Sequence, residues 1–297
     1  MRDGEAAALT WQGFDMASAP DEAAPESPSA TAAPLLDALR NLGAGGLLVV
    51  TGAGVSAASG IPTFRGSDPG AIWKHDVTEL GTRRYFEADP VGSCRWYMQR
   101  FDGVADARPN PAHAAIADLE RWQAARGAPF LLVTQNVDTL HEQAGSARMV
   151  KVHGSADRVR CSRDGCALGA PRGSLPRASL DLAAFRGEPA LASLPRCPDC
   201  GALLRQHVLW FDESYDEHDD YQIHRVVDAA EEAELVLFAG TSFSVGITDL
   251  LLNVAWRNGA AAFAVDPAPS PRPTPGVRFL QARAEELLPA ILLALPT

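Results

Sequence analysis

The sequence predicts an α/β fold: a parallel sheet with helices on both faces, carrying a small module bound together by four cysteines. Three observations lead there. Short, wholly apolar runs recur at 47–50, 130–133, 235–239 and 261–265, with a further strand at 149–152 broken by Lys151 alone, and strands apolar on both sides belong to sheets covered on both faces. Helical segments alternate with these runs, which favours parallel crossover connections. Four of the five cysteines fall in two close pairs, Cys161/Cys166 and Cys197/Cys200.

In chain order, residues 1–33 are rich in Ala, Pro and Ser, and carry Asp3, Glu5, Asp15, Asp21, Glu22 and Glu26 against Arg2 alone. Such a segment has too little apolar surface to offset its ordering entropy, so it reads as a flexible acidic tail. A helix follows from Pro34 to Asn41, closed by Gly43. The run at 47–50 then enters a glycine-rich turn. The next helix is marked by Asn110 as N-cap and Pro111 at its first position, with Ile116, Leu119 and Trp122 on one face. Strands are expected at 130–133 and 149–152, and the cysteine pairs come after them. Two further strands, at 235–239 and 261–265, flank a helix over 249–258. Pro267, Pro269, Pro271, Pro273 and Pro275 form an extended loop before a last helix near Glu285.

Charge and composition exclude several classes. Lys and Arg number 26 against 37 Asp and Glu, a net charge of −11 that lacks the footprint of a nucleic-acid binder and suits a basic partner better. No run reaches the roughly 18 apolar residues of a membrane span. The N-terminus lacks the basic start and apolar middle of a signal peptide, so the cytoplasm is the expected compartment. Intracellular chains rarely keep structural disulfides, and two cysteine pairs therefore read as one four-cysteine zinc site. Four thiolates leave no open position for water, which makes that metal structural. Cys94 stands apart as a buried, inert thiol.

Gly52-Ala53-Gly54-Val55-Ser56 directly follows a strand. Glycines there let the backbone approach a phosphate, although a tight turn in an α/β sheet needs the same residues. The segment continues as Ala57-Ala58-Ser59-Gly60-Ile61-Pro62-Thr63-Phe64-Arg65-Gly66, and the whole resembles the signature of the sirtuins, NAD-dependent protein-lysine deacylases. Further blocks match in the family's order: Thr134-Gln135-Asn136-Val137-Asp138-Thr139-Leu140-His141, His153-Gly154, the cysteine pairs, and Gly240-Thr241-Ser242. The resemblance spans residues 34–293. It implies a Rossmann-like sheet within a catalytic domain at 34–297, with the zinc module inserted at about 156–206.

The resemblance also implies roles. His153 is the general base that activates the ribose hydroxyls, after the acyl-lysine oxygen has displaced nicotinamide from C1′ of NAD; the products are free lysine and O-acyl-ADP-ribose. Asn136 and Asp138 hold the nicotinamide amide and a water. Gly52, Ala53, Gly54, Ser56, Phe64, Arg65 and Gln135 contact NAD, and Gly240, Thr241, Ser242 and Asp266 take its distal half. A polar residue at a strand end in such a sheet is costly unless used, which independently favours Gln135, Asn136, Asp138 and His153 as pocket residues. His75, His113, His207, His218 and His224 carry no such signal and read as core or surface histidines, and His141 reads as structural.

Tyr97 and Arg100 stand three apart, matching the pair that binds succinyl or malonyl carboxylates in the desuccinylase-like class; Trp96 and Tyr97 also suit a core, and Arg100 a solvated surface. Phe211-Asp212-Glu213 occupies the substrate-pairing strand where relatives have Phe-Gly-Glu. Arg205-Gln206 replaces Arg-Pro, and Asp266 replaces Asn. Acylated-lysine proteins or peptides are the implied partners. An NAD glycohydrolase or ADP-ribosyltransferase, and a non-catalytic NAD-sensing module, remain as alternative readings at this point.

Overall fold

A computed structural model describes residues 28–63, 77–243, 246–268 and 274–296. Phe64, Arg65 and His75 lie outside the described residues, as do residues 1–27. Helix α1 (Pro28–Arg40) leads into β1 (Gly46–Thr51) and the four-residue α2 (Ala53–Ser56). Then come α3 (Val77–Leu80), α4 (Arg83–Ala88), α5 (Pro90–Gly103), α6 (Pro111–Ala125), β2 (Phe130–Thr134), α7 (Leu140–Gln143) and β3 (Met149–Lys151). The cysteine module holds β4 (Gly154–Cys161), β5 (Leu175–Pro176), α8 (Ala183–Gly187) and β6 (Leu204–Val208). The chain closes with α9 (Ile223–Glu232), β7 (Ala233–Ala239), α10 (Gly246–Arg257), β8 (Ala261–Asp266), β9 (Val277–Gln281) and α11 (Ala284–Ala294).

Six strands form one sheet in the order β3-β2-β1-β7-β8-β9, every pairing parallel. Alternate residues serve opposite faces. Leu47, Val49, Leu132, Leu237 and Val265 pack under α1, α6 and α11, while Leu48, Val50, Val133, Phe238 and Ala264 pack under α9 and α10. Both faces are therefore dry, which is why these strands read as unbroken apolar runs. The strand order reverses direction between β1 and β7, and ligands of open α/β sheets bind outside the carboxyl ends of strands at such a point.

The sequence-based helix at 34–41 begins at Pro28 instead, inside the segment assigned to the tail. Ala32 and Leu35 of that helix are buried in the core, which gives its first turns something to pack on. Strand β9 has no counterpart among the strands expected from sequence. It pairs with β8, Leu280 opposite Val265, and Pro269, Pro271 and Pro273 of the expected loop before it lie outside the described residues. The helix at 111–125 is capped as expected: the Asn110 side chain accepts from Ala112 N at 2.9 Å, and the His113 ring accepts from Asn110 N at 3.3 Å. Asn110 Nδ2 also donates to Val55 O at 2.8 Å, so the cap ties α6 to the turn after β1.

Candidate active site

The turns after β1 and β7 cross at the strand-order reversal. Gly54 N donates to Gly240 O at 2.9 Å, and Gly52 N donates to Ala239 O at 3.1 Å. Glycine is required on both sides of the crossing. Gly240 has φ +58°, and a Cβ on it would lie 2.3 Å from Val55 N. A Cβ on Gly54 would lie 2.7 Å from Gly240 Cα. The Gly52 and Gly54 amides are thus engaged within the protein, and these two glycines serve the crossing itself. Gly240→Ala is expected to cost about 2 kcal/mol or more, from left-handed backbone and overpacking together. A thermal midpoint equal to that of the unaltered chain would contradict this.

Beneath the crossing, a polar network forms the wall of the site. Asn136 Nδ2 donates to Gly52 O at 3.0 Å and to Ser56 Oγ at 3.1 Å, and Ser56 Oγ donates to Asp138 Oδ2 at 2.9 Å. His113 Nε2 reaches Ser56 Oγ at 3.4 Å. Since His113 Nδ1 accepts the Asn110 amide, Nε2 carries the proton and donates to the serine. This buried ring was missed in the sequence, where nothing distinguishes it from an ordinary core histidine. Asp138 Oδ1 accepts from Leu140 N, the first amide of α7, at 3.0 Å. Gln135 Nε2 donates to Thr51 O at 3.3 Å and to Thr241 Oγ1 at 3.2 Å, tying the ends of β1, β2 and β7 together. His141 is structural: its Nε2 meets Thr51 Oγ1 at 3.1 Å, and burial pulls its ring down to about 3.

His153 follows β3 at the same edge. Its Nδ1 lies 2.9 Å from Gln135 O, an acceptor only, so Nδ1 carries the proton and Nε2 is the basic nitrogen. Burial pulls the ring to about 4, with the Gln135 carbonyl opposing, so His153 is neutral near pH 7. Gly154 starts β4 at φ +79°, where a Cβ would lie 2.2 Å from His207 O; the His-Gly pair thus turns the chain from the large sheet into the module.

The four cysteine sulfurs all lie within 4.8 Å of one another, with Cys161–Cys200 at 3.4 Å and Cys166–Cys197 at 3.7 Å. Thiolates about 2.3 Å from a tetrahedral zinc stand about 3.8 Å apart, so the geometry fits that ion. Backbone amides aim at the sulfurs as well: Arg163 N at Cys161 (3.4 Å), Leu168 at Cys166 and Ala202 at Cys200. The Ala202 amide leads the pull of Cys200 down to about 7. Cys94 is buried away from the cluster, and burial pushes its thiol up to about 11.

A model of the Sir2 family matches residues 52–246, a span that contains this whole wall and the cysteine cluster. The chain belongs to the Sir2 family. It is 40% identical over 224 residues to an NAD-dependent protein deacylase of Thermus thermophilus, covering 75% of this chain and 80% of that one. It is also 40% identical over 250 residues to NAD-dependent protein deacylase 1 of Pseudomonas aeruginosa, covering 84% and 94%. A solved Sir2 homologue in complex with NAD superposes with a TM-score of 0.72 at 34% identity, covering 88% of this chain and 93% of that one.

Other residues of this Sir2 chain named from sequence lie on α5, at the end of β8 and in the segment after β6. Phe211 is exposed, and its amide donates to Gly81 O at 3.0 Å. The Asp212 carboxylate accepts from Arg83 N at 2.7 Å and Arg84 N at 3.2 Å, the first two amides of α4, beside the Thr82 cap. These bonds clip the Phe-Asp-Glu segment to the start of that helix. Glu213 is fully buried among Arg83, Arg160 and Arg205. Burial alone would raise its carboxyl, but Arg205 brings it below the usual range. Tyr97 and Arg100 both lie on α5, as a helical spacing requires. Tyr97 packs in an aromatic cluster with Phe86, Phe101 and Trp210, and burial drives its phenol far above the usual range. Arg100 lies 3.7 Å over the Trp96 ring and donates to Trp96 O at 3.1 Å. Asp266 ends β8, where burial raises its carboxyl against the pull of the Ala268 amide. Thr241 is half-buried, and Ser242 is exposed at the mouth of the crossing.

His207, His218 and Asp220 also bring three ligand-type atoms within 4.8 Å. The backbone already uses both nitrogens of His218: Nδ1 accepts from Asp220 N at 3.1 Å and Nε2 donates to Gly173 O at 3.1 Å. His207 Nε2 bonds Asp220 Oδ2 at 3.0 Å. This is a clasp between β6 and the segment that precedes α9, with no lone pair of His218 left for a metal.

Proposed function

We propose that the chain is an NAD-dependent protein-lysine deacylase, its catalytic unit spanning 34–297, acting in the cytoplasm on acylated-lysine proteins or peptides. The observation that carries this reading is His153. It is a neutral ring at the carboxyl edge of the sheet, anchored through Nδ1 to Gln135 O so that Nε2 serves as the base. No helix among the described residues is long and apolar enough to cross a membrane.

In this reading NAD lies across the β1–β7 crossing. The Ala53 segment, Gln135, Gly240, Thr241 and Ser242 contact its ADP-ribose, and Asp266 accepts from the adenosine ribose hydroxyls. Asn136 and Asp138 face the nicotinamide amide, pre-set by their bonds to Ser56. His153 Nε2 takes the ribose hydroxyl proton as that oxygen attacks the acyl carbon. Phe64 and Arg65 complete the NAD contacts, by their place in the motif. Cys161, Cys166, Cys197 and Cys200 hold a structural zinc, whose chemistry is to cross-link the module. Phe211 and the backbone around Asp212 pair with the substrate chain. The Asp212 departure does not favour a glycohydrolase, because its carboxylate is engaged on α4.

The test is nicotinamide release from NAD with matched acetyl-, succinyl- and unmodified lysine peptides. Release with the acylated peptides alone supports a deacylase; equal release without peptide points to a glycohydrolase. For the acyl group, Tyr97 and Arg100 are the proposed carboxylate readers. Arg100→Met should then lower succinyl turnover relative to acetyl by roughly tenfold or more, the worth of one charge-assisted hydrogen bond. An unchanged ratio would remove Arg100 from acyl selection.

A further inference from the structure

His153 has a second partner that neither the sequence motifs nor the proposed chemistry accounts for. Tyr215 Oη lies 3.1 Å from His153 Nε2, with the two rings stacked at 5.9 Å and 26°. With Nδ1 protonated toward Gln135 O, Nε2 can only accept, so the phenol donates. Burial pushes Tyr215 up to about 12, which keeps that proton in place throughout the working pH range.

The segment that delivers Tyr215 is fastened on every side. Glu217 pairs with Arg83 at 2.7 Å, Asp219 N donates to Pro171 O at 2.8 Å, and Asp220 is clasped by His207. The Tyr215 ring itself packs on the core beneath α9 and α10. A side chain held this way sits on the catalytic nitrogen by construction. It occupies the position that the ribose hydroxyl must take if Nε2 is the base.

We propose that Tyr215 is a positioning residue for His153: its hydroxyl caps Nε2 in the resting enzyme, fixes the Nδ1–H tautomer and ring orientation, and yields that nitrogen to the ribose hydroxyl of NAD. The proposal rests on the reading of His153 as the base. No group is consumed: the phenol keeps its proton, and the ribose proton passes to Nε2.

The sign of the effect follows from which state is bonded. A donor to Nε2 stabilises the neutral ring and so lowers its proton affinity. Among the described residues, the Gln135 carbonyl and the Tyr215 phenol are the groups bonded to the ring, and no charged side chain enters its titration. Tyr215→Phe should therefore let His153 bind a proton about 2- to 10-fold more tightly in the NAD-free enzyme, the worth of one neutral hydrogen bond.

The experiment is nitrogen-15 histidine NMR of the full NAD-free chain against pH, for the unaltered enzyme and Tyr215→Phe, beside kinetics of both. The proposal expects His153 to titrate at higher pH in Tyr215→Phe. The acid limb of kcat/KM should move up with it, because that ratio reports the free enzyme, while the acid limb of kcat stays in place. Nicotinamide exchange into NAD, which precedes the need for the base, should remain within about twofold. Identical NMR titrations would overturn the proposal, as would a parallel loss of exchange and deacylation, the mark of a merely structural role. If the unaltered enzyme deacylates nothing, the deacylase reading fails, and the NMR comparison still decides whether Tyr215 caps His153.

Discussion

His153→Ala is expected to slow O-acyl-ADP-ribose formation by about 10²-fold or more, the usual contribution of a positioned general base. NAD binding, followed by calorimetry, should change little. The reason lies in the division of labour at the sheet edge. The crossing of the β1 and β7 turns and the Asn136–Ser56–Asp138 wall are held by bonds that do not pass through the His153 ring. What the ring supplies is a neutral nitrogen at a fixed place, and alanine removes only that. Loss of NAD binding in step with turnover would show that His153 holds the nucleotide and is not the base.

The second large effect concerns the metal. Purified protein should contain one zinc per chain, and Cys197→Ser should abolish it. Around the cysteines themselves the apolar core is small, Val159 and Leu204 with a few partly buried neighbours, while Phe185 and Leu194 and the ion pairs of Arg177 and Arg186 with Asp102 fasten the module to α5. Structural zinc in small peptide modules is worth about 10–16 kcal/mol of binding that doubles as folding energy. Its loss should melt the module below the rest of the chain in a thermal scan. Activity should go with it, because Leu209 N, just beyond β6, donates to His153 O at 3.0 Å and Gly154 begins β4. Metal-free protein with an unshifted thermal midpoint and normal turnover would contradict the assignment.

The large sheet was legible because its physics is local to each strand. Runs such as Val49-Val50 and Leu132-Val133 serve both buried faces, and their shortness and Val/Leu content mark them as strands. The α6 start was legible for the same reason, since Asn110 caps the Ala112 amide two residues on and Pro111 takes the first helical position, while the part that His113 plays was not. Strand β9 was not, because Val277–Gln281 is neither an unbroken apolar run nor a regular alternation, and it gains its identity by pairing with β8. The amphipathic α9 is absent from the sequence-based elements although its apolar stripe at Ile223, Val226 and Ala230 is readable.

At the site, residues inside motif blocks could be named, while their partners across the fold could not. Ser56 could be placed in the site, but not its link to His113, which sits 57 positions away. Asp212 could be seen to depart from glycine, yet the amides it accepts from belong to α4, about 130 residues earlier. Tyr215 carries no motif at all. Only the fold, by clasping its segment to β6 and to Arg83, brings its hydroxyl to His153.

The most direct test follows the acyl group itself. Purified protein is incubated with NAD and an acetyl-lysine peptide, and the products are weighed by mass spectrometry. The account predicts ADP-ribose bearing the acetyl mass, formed in step with nicotinamide and deacetylated peptide, and absent when the peptide is unmodified. Free ADP-ribose and nicotinamide forming at the same rate without the acyl peptide would contradict it, and would make the enzyme a glycohydrolase.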